Sequence, residues 1–101
     1  MVRFLVSYNT PEDPAEFDRY YREVHIPLAK SLPGLRRYTI SRNVALIRGT
    51  GPYYMIAELD FDDRAALAAA FASPEGRAAA QDVPKFATGG SDSLVYDLED
   101  V

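Results

Sequence analysis

His25 is the single histidine in a chain of 101 residues that has no cysteine. Acid–base chemistry near neutral pH therefore falls first to its imidazole. It stands four positions after Tyr21 and three before Leu28, and residues at these spacings share one face of a helix. A histidine on that apolar face has two readings. It is a general acid/base or an orienting donor for a substrate carboxylate or phenolate, or it is a buried side chain satisfied by a backbone carbonyl. Pro27 would leave such a carbonyl, that of Glu23, without its usual helical partner. Glu58 is the second catalytic candidate, a carboxylate between Ala57 and Leu59 in an apolar run. It pairs with His25 if it faces the helices, pairs with an arginine across an interface if it faces a partner chain, or is exposed. Strand parity decides among the three.

Seven tyrosines, five phenylalanines and no tryptophan supply flat walls with polar tips, suited to an aromatic ligand bearing phenol or keto groups. Tyr21, Tyr38 and Tyr8 are the candidates to touch it, and the remaining tyrosines fill a core or an interface. Asp82 and Phe86, one helical turn apart, either close one end of the same cavity or serve packing and capping. One imidazole and no thiolate are too few for a transition-metal site, so neither metal nor cofactor is expected. No Gly-x-Ser-x-Gly elbow supports a Ser-His-Asp triad. The run Gly49-Thr50-Gly51-Pro52 fits a turn better than a phosphate loop.

These residues need elements to hold them. Residues 2–8 read as a strand ended by Asn9-Thr10-Pro11. Asp13 can cap a helix with Pro14 at its first position and Glu16 completing a capping box. Phe17, Tyr20, Tyr21, Val24 and Leu28 then form its apolar face, and Pro33-Gly34 stops it. Residues 35–48 form a second extended stretch, joined by the Gly-rich turn to a third strand over 53–61. Asp62-Asp63 cap a helix through Phe71, and Ser73-Pro74 start another. After Gly89-Gly90 comes a last strand, about 93–98. The order β-α-β-β-α-β is that of a ferredoxin-like α+β fold: one antiparallel sheet with its helices on one face, in a single domain over 1–101. The first and third strands carry apolar residues on both parities, Phe4 and Val6 against Leu5, and Met55 and Leu59 against Ile56. A sheet with one wet face should alternate cleanly. The economical cover for the second face is another copy of the chain, so a homodimer through the sheet faces is expected.

The segment Tyr20-Tyr21-Arg22-Glu23-Val24-His25-Ile26-Pro27-Leu28-Ala29, followed by Leu32-Pro33-Gly34-Leu35, resembles the EthD family. The resemblance continues through Tyr53-Tyr54, Ala57-Glu58-Leu59, Ser73-Pro74-Glu75-Gly76, Asp82, Phe86 and Gly89-Gly90. It implies a dimeric α/β barrel. Related proteins of that superfamily include cofactor-independent monooxygenases, methylmuconolactone isomerases and polyketide cyclases. A fold leaves the reaction open.

The net charge of −4 and the scattered arginines argue against a nucleic-acid partner, which needs a basic patch. The N-terminus is too short and mixed for a signal peptide or membrane span, and the chain reads as cytoplasmic. Two functions compete. One is a cofactor-free enzyme that isomerises, cyclises, decarboxylates or oxygenates a small aromatic or lactone-like molecule, with His25 as proton shuttle or oxyanion donor. The other is a non-catalytic ligand-binding accessory protein with the same pocket. Both require a cavity between the first helix and the sheet, beside His25 and Tyr21. The Ala-rich helices would leave the volume for it.

Overall fold

The computed structural model describes residues 1–101. Four strands, β1 (Val2–Tyr8), β2 (Arg37–Ile40), β3 (Met55–Phe61) and β4 (Ser91–Asp97), form one antiparallel sheet in the order β2-β3-β1-β4. This is the ferredoxin-like arrangement, with β1 and β3 central. Side chains alternate across the sheet. Val2, Phe4, Val6 and Tyr8 pair with Phe61, Leu59, Ala57 and Met55 on the face that carries the helices. The second extended stretch is shorter than residues 35–48: only Arg37–Ile40 pair, and the chain runs irregularly to Met55. The last strand starts two residues earlier than expected.

The first helical rod has three parts, α1 (Pro14–Tyr20), a π-helical turn (Tyr21–His25) and α2 (Ile26–Lys30). Asp13 caps it, accepting from the Glu16 N–H at 3.2 Å. The carboxylate of Glu16 turns to Arg19 instead of closing a capping box. The Ile26 N–H reaches back five residues to the Tyr21 carbonyl. Pro27, with no N–H to give, makes this wider turn inexpensive. The buried stripe is Phe17, Tyr21, His25 and Ala29, with Val24 and Leu28 only half-buried on its edge. In a regular α-helix a four-residue step overshoots a full turn by about 40°. The i→i+5 turn falls short instead and holds the stripe on one face.

Helices α3 (Arg64–Ala72) and α4 (Pro74–Phe86) follow β3. Asp63 caps α3 through the Ala66 N–H at 2.8 Å, and Ser73 caps α4 through the Gly76 N–H at 3.0 Å. A Cβ at Gly76 would stand 2.1 Å from the Ala70 carbonyl oxygen. Glycine there lets α4 fold back tightly on α3.

The helix-free face of the sheet is mixed in character. Leu5 pairs with Leu94, beside Ile56 and Tyr96, and the centre holds an ion cluster. Arg3 Nε donates to Asp60 Oδ1 at 2.7 Å, and its Nη1 lies 2.9 Å from Glu58 Oε2. No helix is long and apolar enough to cross a membrane.

Candidate active site

The π-helical turn and α4 face each other over the sheet and bring His25 to Asp82. His25 Nδ1 lies 3.0 Å from Asp82 Oδ2, and both side chains are buried. The carboxylate draws the proton of the neutral ring to Nδ1 and leaves the Nε2 lone pair free. The other carboxylate oxygen, Oδ1, accepts a hydrogen bond from the Tyr20 hydroxyl at 2.6 Å. The Phe86 ring packs on the imidazole at a centroid distance of 4.7 Å.

Beyond His25 a cavity of about 240 Å³ opens between helices and sheet. Thirteen of its sixteen lining residues are hydrophobic, the usual make-up of a ligand site with few polar groups. The small side chains of Ala29, Ala57, Ala79 and Ala80 create the volume. No protein group hydrogen-bonds His25 Nε2, and no buried side-chain nitrogen or oxygen is left unpartnered. Nε2 is therefore exposed to the cavity that its ring lines.

Tyr8, Tyr21 and Tyr38 also line this space. The hydroxyls of Tyr21 and Tyr38 are hydrogen-bonded to each other. Burial pushes the phenols of Tyr8, Tyr21 and Tyr38 above their ordinary range, so all three keep their protons near neutral pH. Burial also lowers the pKa of His25, and Asp82 opposes that shift only in part. The ring is neutral near pH 7 and can accept a proton at Nε2. No group of three or more His, Asp or Glu side chains comes together in a way that could hold a metal ion.

The EthD domain matches residues 9–90. The chain is a member of the EthD family. It is 41% identical over 101 residues to an uncharacterised 11.0 kDa protein of Rhodococcus erythropolis from the thcB–thcC intergenic region, covering all of this chain and 98% of that one. An ethyl tert-butyl ether d (EthD) family protein of Bacillus halodurans superposes with a TM-score of 0.90 at 32% identity, over 98% of this chain and 99% of that one. Two more distant structures share the fold. SnoaB, a cofactor-independent oxygenase from Streptomyces nogalater, has a TM-score of 0.69 at 20% identity, over 99% and 94% of the two chains. A dimeric ferredoxin-like protein from Thermobifida fusca has a TM-score of 0.73 at 16% identity, over 96% and 90%.

In this EthD protein six of the seven residues singled out in the sequence, His25, Tyr21, Tyr38, Tyr8, Asp82 and Phe86, come together around the histidine and its cavity. The seventh, Glu58, does not. Its register partner is Leu5, on the sheet face away from the helices, and it is bound to Arg3 of its own chain. Apolar residues on both parities of β3 left the sequence silent on this point, and the structure puts Glu58 and Asp60 on a face with Ile56, with Met55, Ala57, Leu59 and Phe61 buried on the other. The carboxylate beside His25 is Asp82 instead. The position of Tyr20 on the apolar face of its helix assigns it a core role only. Nothing in its spacing shows that its hydroxyl reaches an aspartate 62 positions away.

Proposed function

We propose that this protein acts on a small aromatic or lactone-like molecule without a cofactor, with His25 as the base that removes a proton from an acidic C–H or O–H group. The observation that carries this reading is the Asp82–His25 pair at 3.0 Å, whose imidazole lines an apolar cavity. Asp82 orients the ring and stabilises the imidazolium that forms, as the carboxylate does in a catalytic triad. One hydroxyl of the Tyr21–Tyr38 pair donates to the other, and the second proton is free for the substrate oxygen on which charge develops. Once the proton is on Nε2, its return to a different atom is an isomerisation. Attack of the carbanion on an electrophilic carbon of the same molecule gives cyclisation. With dioxygen as co-substrate and oxidant, the carbanion adds one O2, takes up the proton from Nε2 as a hydroperoxide, and loses water with cleavage of the O–O bond to leave a ketone. The likeness to SnoaB supports the cofactor-free version of this chemistry.

Deuterium exchange from D2O into 2-tetralone and into a butenolide tests the reading. The wild-type protein should accelerate exchange of the acidic protons. His25→Ala and Asp82→Asn should each reduce the enzymatic rate by roughly 10²–10⁴-fold with an unchanged circular dichroism spectrum. Tight binding of either compound with no exchange above background would make the protein a carrier.

The same proposal includes a homodimer joined through the open sheet faces. The ionic groups at the centre of that face are already paired, Arg3 with Glu58 and Asp60. Covering them would leave no orphaned charge. Leu5, Ile56, Leu94 and Tyr96 supply the apolar contact. The dimeric ferredoxin-like relative supports this assembly.

A further inference from the structure

A second concavity, of about 490 Å³, adjoins the histidine cavity. It lies between the first helical rod and the irregular segment that follows β2, on the helix side of the sheet, where Phe17 and Tyr21 meet Ile40 and Met55. It is therefore clear of the face assigned to the dimer. Tyr21 lines both spaces. The inner one is apolar, whereas the outer one carries Arg22, Ser41, Arg42 and Asn43.

The arginines distinguish this recess. The chain has nine, and Arg3, Arg19, Arg36 and Arg64 are each ion-paired to a carboxylate. Arg22 and Arg42 have no such partner. Two of the five uncommitted guanidinium groups of an acidic protein thus border one recess. Ser41 Oγ accepts from the Ile56 N–H at 2.8 Å, so its own O–H is free to donate. The one carboxylate on the rim, Asp18, is itself engaged, with Oδ1 accepting from the Tyr54 hydroxyl at 2.8 Å. The rim carries two positive charges against one negative.

We propose that this recess is an anion subsite that holds the carboxylate of a ligand whose ring occupies the histidine cavity, with Arg22 and Arg42 as the recognising residues. The substrate class is then an aromatic or alicyclic carboxylic acid that reaches past Tyr21 from one space into the other. Guanidinium groups match a carboxylate with paired N–H donors, while the inner cavity takes the apolar part. This deepens the functional reading above and rests on it for the position of the ring.

Binding of 2-naphthoate and of methyl 2-naphthoate, which differ only in charge and a methyl group, tests the subsite. Titrations at pH 8 and low salt are followed by ligand fluorescence and by the NMR signals of the His25 ring. The acid should bind about tenfold more tightly than the ester, an advantage that shrinks in 0.5 M NaCl. In R22Q/R42Q the two should bind alike, with ester affinity unchanged. R77Q, an arginine outside both spaces, should retain the preference. Equal affinities in the wild type, including no binding of either, or a preference that survives R22Q/R42Q, would overturn the subsite. Ester binding that shifts the His25 signals without any acid preference would remove the subsite alone and leave the cavity reading standing.

Discussion

Asp82 serves two donors at once, and that sharing tunes His25. The Tyr20 hydroxyl stabilises negative charge on Oδ1, which weakens the hold of the carboxylate on the imidazole proton at Oδ2. Tyr20→Phe should therefore raise the pKa of His25, and Asp82→Asn should lower it, both read from the ring protons by NMR titration. In the wild type the value lies below the usual 6.5 because burial penalises the charged ring. A depressed folded-state pKa means that the unfolded chain binds more protons between the two values. The stability this contributes is present above about pH 6.5 and is lost as pH falls through the folded pKa. Proton abstraction should fail over the same acid limb, and Tyr20→Phe should move that limb to higher pH. An unmoved limb would reduce Tyr20 to a packing residue. Of this cluster, the shared face of Tyr21 and His25 was legible, because spacing along one helix is local information. The aspartate was legible as a candidate but not as the partner of the ring, since that pairing joins residues 57 apart.

The elements that present these groups rest on two local departures from regularity. Gly76 lets α4 return against α3, since any Cβ there would run into the Ala70 backbone. Gly76→Ala should cost about 1–3 kcal/mol, the range for overpacking, measured as a lower urea midpoint. The cavity lined by Ala79 and Ala80 should change shape with it. A cost below 0.5 kcal/mol would mean that the helices part easily. The Ser73-Pro74 cap announced α4 in the sequence, because capping is written in adjacent residues. The π-helical turn was not announced, since Pro27 signals a lost hydrogen bond and says nothing of the rung that replaces it. The turn amounts to one extra residue in a helix. Deleting Glu23, which is exposed, would close it to a regular α-helix and swing one flank by about 100°. That variant should keep its helical circular dichroism while the His25–Asp82 contact is lost, visible as a changed His25 titration.

The molecule is a slab, 35 × 34 × 17 Å, with one layer of helices on one layer of sheet. Its accessible surface is 6493 Å², against about 5,700 Å² for an ordinary folded monomer of this mass. The excess of roughly 800 Å² is close to what one partner contributes to a standard interface. The apolar residues on both parities of β1 and β3 are the sequence feature from which the dimer proposal starts. The ion cluster of Arg3, Glu58 and Asp60 on the same face was not foreseen. Light scattering at micromolar concentration should give a mass of twice 11.2 kDa, and a single-chain mass would refute the dimer. An open face of this size carries a consequence for dilution. If the fold is completed only when two chains meet, its stability is a property of the solution as well as of the chain. The melting temperature should then fall as the protein is diluted, by mass action. Activity per chain should fall with it once the concentration drops below the dissociation constant, with no residue changed.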